Sequence, residues 1–153
     1  MTTITPFLWF NADAADAIKC YRQVFPDTAI LHETRMPDGS LFIASIRLQG
    51  QELILMNGGP SRPHTEAFSL SVVVETQEEV DRISEQLIGE DGIQDSCGWL
   101  KDSFGLSWQV VPCRLEQLMS DPDPVKAGRV SAALMQMKRI SVQGLQDAYD
   151  DKA

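Results

Sequence analysis

Apolar and polar positions along this chain follow two rhythms, and the pair of rhythms occurs twice. Ile4–Phe10 is a short apolar run of strand length. Asp13–Phe25 then sets Ala14, Ala17, Ile18, Tyr21, Val24 and Phe25 at helical spacing along one face. Asn11 or Asp13 is placed to cap that helix, and Pro26 ends it. Ala29–Met36 reads as a strand, Pro37-Asp38-Gly39-Ser40 as a hairpin turn, and Leu41–Leu48 as the return strand. A second turn at Gly50-Gln51 leads into a third strand, Glu52–Met56. The predicted order is β-α-β-β-β.

The second half repeats it. Phe68–Val74 puts Phe68, Leu70, Val72 and Val74 on one strand face, and Glu78–Ile88 is a helix with Val80, Ile83 and Leu87 turned inward. Gly89–Gly92 is a turn, and Ser96–Lys101 and Leu106–Val111 are the next strands. The two helices start about sixty residues apart, the spacing an internal duplication leaves. This half is one strand short unless Gly92–Asp95 contributes. Between the halves, Asn57–Glu66 is a connector by composition; its Gly-Gly-Pro lacks the G-K-[ST] ending and following helix of a phosphate cradle. After Pro112 the chain turns helical. Leu115–Met119 is a short helix, Asp123-Pro124 an N-cap with proline at the first helical position, and Val125–Met137 the helix that follows. Ile140–Tyr149 adds a last turn or two. The divisions are module one 1–57, linker 58–67, module two 68–112 and a helical extension 113–153.

Two such modules cannot each bury both faces of a small sheet. Pairing them gives an α+β fold, a curved half-barrel sheet with helices outside and a cavity inside. The 153 residues suffice for that core. A net charge of −9 and a pI near 4.6 set the chain against phosphate backbones and anionic membrane surfaces, so neither nucleic acid nor membrane is an expected partner. No signal peptide or spanning segment is visible, and a cytoplasmic location is expected. The cysteines Cys20, Cys97 and Cys113 are odd in number and form no C-x-x-C, which suggests neither disulfides nor a thiolate zinc site.

The richest stretch is Cys97–Pro112, C-G-W-L-K-D-S-F-G-L-S-W-Q-V-V-P, two strands around a D-S-F-G turn. Asp102 and Gly105 suit that turn, one by capping it and one by adopting positive φ. With P-F-L-W-F-N-A-D-A-A-D-A-I-K-C-Y (Pro6–Tyr21), L-I-L-M-N-G-G-P (Leu53–Pro60) and M-Q-M-K-R-I (Met135–Ile140), this block resembles the vicinal-oxygen-chelate (glyoxalase/bleomycin-resistance/dioxygenase) superfamily. It is most similar to the PhnB-like branch labelled "3-demethylubiquinone-9 3-methyltransferase". The resemblance implies a homodimer and four metal-ligand positions on four cavity strands. They fall on Thr5 or Pro6, on Ile54 or Met56, on Phe68 or Ser69, and on Gln109, where the superfamily has a glutamate. None is His, Glu or Asp, and such a set binds zinc, nickel or iron poorly. No metal and no other cofactor is expected. Methyl transfer from S-adenosylmethionine usually uses a doubly wound sheet and a glycine-rich turn, and the chain contains no G-x-G.

Strand parity gives a cavity lining. Gln109 points inward with Ser107 and Val111, while Trp108 and Val110 face a helix; Cys97, Trp99 and Lys101 share one face. On the first strand either Phe7 and Trp9 or Leu8 and Phe10 point in. The candidate ligand-binding residues are Trp9, Cys97, Trp99, Lys101, Ser107 and Gln109, an aromatic wall with hydrogen-bonding groups suited to a planar or amphipathic small molecule. Lys101 pairs either with an anionic ligand or with a nearby carboxylate. Three functions fit: a metal-free small-molecule-binding homodimer; an enzyme of the lyase, transferase or dioxygenase type with an atypical site, using a nonmetal mechanism or a metal held by residues such as Glu52 and His32; and a structural or interaction module whose cavity is filled by its own side chains.

Overall fold

The computed structural model describes residues 1–152, which form two compact units, one ending at His64 and one beginning at Thr65. The first runs β1 (Phe7–Phe10), α1 (Ala14–Val24), β2 (Thr28–Arg35), β3 (Leu41–Leu48) and β4 (Gln51–Asn57). Its sheet order is β1-β4-β3-β2, with β1 parallel to β4 and the other pairs antiparallel. The expected apolar stripe of α1 is buried at Ala14, Ala17, Ile18, Tyr21 and Val24. Leu8, Phe10, Leu41, Ala44, Ile46, Leu48, Leu53 and Leu55 are the buried hydrophobic residues of the sheet. The capping of α1 differs from expectation. Asp13 holds the N-cap position without a side-chain hydrogen bond. Asn57, at the end of β4, accepts from the Ala14 N–H (2.9 Å) and donates to the Leu41 carbonyl (3.1 Å). A residue distant in sequence does the work, because β4 lies beside β1 and ends where the helix starts.

The second unit repeats the order with β5 (Leu70–Val74), α2 (Gln77–Ile88), β6 (Ile93–Gln94), β7 (Trp99–Lys101) and β8 (Ser107–Pro112), arranged β5-β8-β7-β6. The missing strand is the two-residue β6, within the stretch the sequence left open. β7 is shorter than Ser96–Lys101. Ser96–Gly98 is a tight helical turn, and Cys97 within it sits in the left-handed region at φ 58°, which breaks the extended backbone. Thr76 caps α2, accepting from the Glu79 N–H at 3.2 Å.

The D-S-F-G turn is built on Asp102, which is 2% exposed. Its carboxylate accepts from the N–H of Phe104 (2.9 Å), the N–H of Leu106 (3.0 Å) and the Trp108 indole (2.8 Å). Gly105 takes φ +88°, as the turn requires. Trp108 is core, as expected.

The extension forms α3 (Cys113–Met119), α4 (Pro124–Leu134) and α5 (Val142–Tyr149). Asp123 caps α4 as expected, accepting from the Val125 N–H at 2.9 Å. Leu118, Val130, Ile140 and Leu145 make a small core against which Val111 and Met137 pack. The segment before α5 is tied to the sheet: the N–H groups of Cys97 and Gly98 donate to the carbonyls of Met137 (2.8 Å) and Lys138 (2.7 Å). The Tyr149 hydroxyl donates to Asp121 at 2.6 Å.

Two predictions follow from this packing. Asp102→Ala leaves three donors without their acceptor and is expected to cost about 3 kcal/mol or more, with Asp102→Asn costing less; urea unfolding followed by tryptophan fluorescence measures both. The second concerns pH. The hydrogen bond from Tyr149 holds the Asp121 carboxyl below its ordinary value, and the same bond holds the Tyr149 phenol above its own. Asp121 therefore contributes stability above the ordinary carboxylate range that is lost as pH falls through its lowered value. Tyr149 contributes stability below the ordinary phenol value that is lost as pH rises through its elevated one. Tyr149→Phe is expected to flatten both limbs of a stability–pH profile; a profile unchanged by the substitution refutes the linkage.

Candidate functional site

Each sheet has one face against its helix and one turned away from it, and strand parity assigns the residues of the second face. In the second unit, Trp108 and Val110 are buried on the helix side, at 1% exposure each. Ser107 and Gln109 therefore take the other face. The register sets Trp99 opposite Gln109, Lys101 opposite Ser107, and Ser71 beside Gln109. This face is the candidate site.

The register also relates to one another the positions at which the resemblance implies metal ligands. Phe10 and Val74 are the buried last residues of β1 and β5, so Phe7 corresponds to Ser71 and Thr5 to Ser69. Phe7 lies beside Ile54, and Ser71 beside Gln109. Of the alternatives that the resemblance implies, those that match in register are Thr5 and Ile54 in the first unit, and Ser69 and Gln109 in the second. The second pair is in contact, the Gln109 amide donating to the Ser69 hydroxyl at 3.0 Å. Neither pair, a hydroxyl with an aliphatic side chain or a hydroxyl with an amide, fits a transition metal, which needs carboxylate, imidazole or thiolate donors. The alternative donors are not assembled either. Glu52 is engaged by Arg47 at 3.0 Å, His32 lies exposed on β2, and His64 packs edge-on against Phe10 at 5.1 Å between ring centroids. Among the described residues no three His, Cys, Asp or Glu side chains group to hold a metal ion.

The remaining candidates are placed as follows. Trp99, Lys101 and Ser107 line one cavity of about 230 Å³ with Glu66, Ile93, Asp95 and Leu100. The Lys101 ammonium pairs with the carboxylate of Glu66, and that hydrogen bond holds the Glu66 carboxyl below its ordinary value. Gln109 is half-buried on the same face, one strand pleat from Ser107. Cys97 does not share the face of Trp99 and Lys101. It belongs to the tight turn, and its thiol points to the Leu134 carbonyl at 3.5 Å. The expected strand ran through Cys97 because nothing in its sequence marks a left-handed residue. Trp9 is on the first unit's sheet. Its indole donates to the Gly59 carbonyl at 2.9 Å, and the Arg62 guanidinium lies 5.6 Å from its ring centroid. Gly58 is required there, since a Cβ would meet the Trp9 ring at 2.2 Å. Sequence reasoning missed Glu66 as the partner of Lys101 and Arg62 as the partner of Trp9. Both come from the connector, whose composition predicts a loop and nothing about what its side chains reach.

This architecture, two β-α-β-β-β modules with mixed four-stranded sheets, is that of the glyoxalase/bleomycin-resistance class, the vicinal-oxygen-chelate superfamily. Residues 2–111 match the family described as 3-demethylubiquinone-9 3-methyltransferase, and the chain belongs to that PhnB-like family. A solved PhnB protein from Bacillus cereus, described as a 3-demethylubiquinone-9 3-methyltransferase, is 29% identical with a TM-score of 0.66; the match covers 73% of this chain and all of that one. A protein from Pseudomonas aeruginosa shares the fold at 20% identity and a TM-score of 0.58, over 73% of this chain and 98% of that one. The fosfomycin resistance protein FosX from Listeria monocytogenes shares it at 13% identity and 0.55, over 76% and 97%. No curated protein matches the chain.

The donor set makes a direct prediction. Calorimetric titration of chelator-treated protein with Zn²⁺, Ni²⁺ or Mn²⁺ is expected to show no one-to-one site at a Kd of about 1 μM or tighter, a binding free energy of about −8 kcal/mol. Exhaustive dialysis against EDTA is expected to leave the denaturation midpoint unchanged.

Proposed function

We propose that this protein is a metal-free small-molecule-binding protein of the sequestration type, working in the cytoplasm as a homodimer. The observation that carries the reading is the Gln109–Ser69 hydrogen bond, an amide and a hydroxyl in contact where the resemblance implies metal ligands. An amide there both donates and accepts, so it orients a polar group on a ligand without polarising it as a metal ion does. Trp99 on the neighbouring strand supplies a flat wall, and Lys101 and Ser107 supply further polar groups on the same face.

The homodimer rests on exposed apolar side chains. Phe7 is 52% exposed and Val73 62%, and both lie on sheet faces turned away from the helices. Apolar residues at such positions are protected by self-association in a symmetric pair. The family's label names a methyl transfer. Each sheet here contains a single parallel pair with its other strands antiparallel. A doubly wound parallel sheet with a glycine-rich first turn is the usual support for S-adenosylmethionine, so we read the label as a family name.

Native mass spectrometry of untagged protein, purified without chelator or added metal, tests this. The expected result is a dimer carrying a small-molecule adduct and no metal. A stoichiometric metal ion, or a monomer without any adduct, overturns the proposal.

A further inference from the structure

Ser107 is 1% exposed, and its hydroxyl meets no hydrogen-bond partner in the protein. A buried hydroxyl without a partner is costly and calls for an explanation. Ser107 lines the cavity with Lys101, its direct partner across the β7–β8 pair, so an ammonium and a hydroxyl from adjacent strands serve the same space. The ammonium already holds a carboxylate, that of Glu66. Glu66 is not part of the sheet: it precedes β5, and its side chain is 60% exposed. The other acid at the cavity, Asp95, is turned to its own backbone, accepting from the Ser96 N–H at 2.7 Å.

We propose that this cavity is a carboxylate seat for a small aromatic acid, and that Glu66 is its resident stand-in. The inference deepens the small-molecule reading and rests on it. The ligand carboxylate takes the place of Glu66, accepting from the Lys101 ammonium and from the Ser107 hydroxyl, which gains the partner it lacks. The ring lies against Trp99 and Ile93, the aromatic and aliphatic walls of the same cavity. A volume of about 230 Å³ suits one substituted ring. Glu66 is a weak competitor, since an exposed ion pair from a loop gains little and is readily exchanged. At neutral pH it is ionised, so ligand and stand-in present the same charge to Lys101. The resident carboxylate keeps Lys101 paired when no ligand is bound, at the expense of affinity.

Benzoate is the probe, titrated into full-length ¹⁵N-labelled protein, with the Trp99 indole and Ser107 amide signals as readout. Glu66→Gln is expected to tighten benzoate binding about fivefold by removing the competitor. Ser107→Ala is expected to weaken it about tenfold while leaving the urea midpoint equal to or above that of the wild type, because the lost hydroxyl had no partner to lose. Benzamide, the neutral isostere, is expected to bind at least about tenfold more weakly than benzoate. Benzoate affinity unmoved by Glu66→Gln, or benzamide binding as tightly as benzoate, overturns the proposal. The two readings fail separately. Protein that carries a native adduct yet ignores benzoate loses the seat and keeps the small-molecule function; protein that binds neither loses both.

Discussion

The second module depends on one buried carboxylate. Asp102 gathers two backbone N–H groups of its own turn and the indole of Trp108, and so fixes three things together. It closes the β7–β8 turn, it sets the register of that pair, and it holds Trp108 to the helix side of the sheet. Parity does the rest. With Trp108 committed to the core, Ser107 and Gln109 have only the opposite face, and the register delivers Trp99 and Lys101 beside them. A buried charge is tolerable here because three donors surround it. The chemistry of the open face is thus set by a residue that takes no part in it.

The first module reaches a similar end by other means. Asn57 joins the start of α1 to the start of β3 with its two amide atoms. Both modules therefore use one polar side chain to lock a helix-side core, but one is neutral and reaches across the unit while the other is charged and acts within a turn. This difference follows from length. β4 is seven residues long and ends beside the helix start, whereas β7 has three residues and needs a rigid turn to hold its register.

Much of this was legible in the sequence. The helix stripes, the hairpin at Asp38, the D-S-F-G turn, the Asp123 cap and the core role of Trp108 all follow from local periodicity or local capping chemistry, which act over a few residues. The same parity argument placed Gln109, Ser107, Trp99 and Lys101 on one face. What was not legible depends on contacts between distant segments. Asp13 fits the composition of a cap, yet the hydrogen bond comes from Asn57. Cys97 reads as strand because alternation continues through it. Its left-handed backbone is held by carbonyls of Met137 and Lys138, and no local pattern announces them. The contact of Ser69, and not Phe68, with Gln109 likewise depends on the strand register, since one residue's slip exchanges the faces.

The bonds from Cys97 and Gly98 to Met137 and Lys138 also bear on the order in which the protein forms. The family match ends at residue 111, so these acceptors lie outside the segment that defines the fold. On the ribosome, the β6–β7 turn is made about forty residues before the carbonyls that close it. Until then two N–H groups at the start of β7 face water, beside a strand only three residues long. At typical synthesis rates of about 5–20 residues per second, that interval lasts seconds, long compared with hairpin formation. These two bonds are therefore the last that this turn can close, and the helical extension clasps the start of β7 from outside the segment that the family match covers.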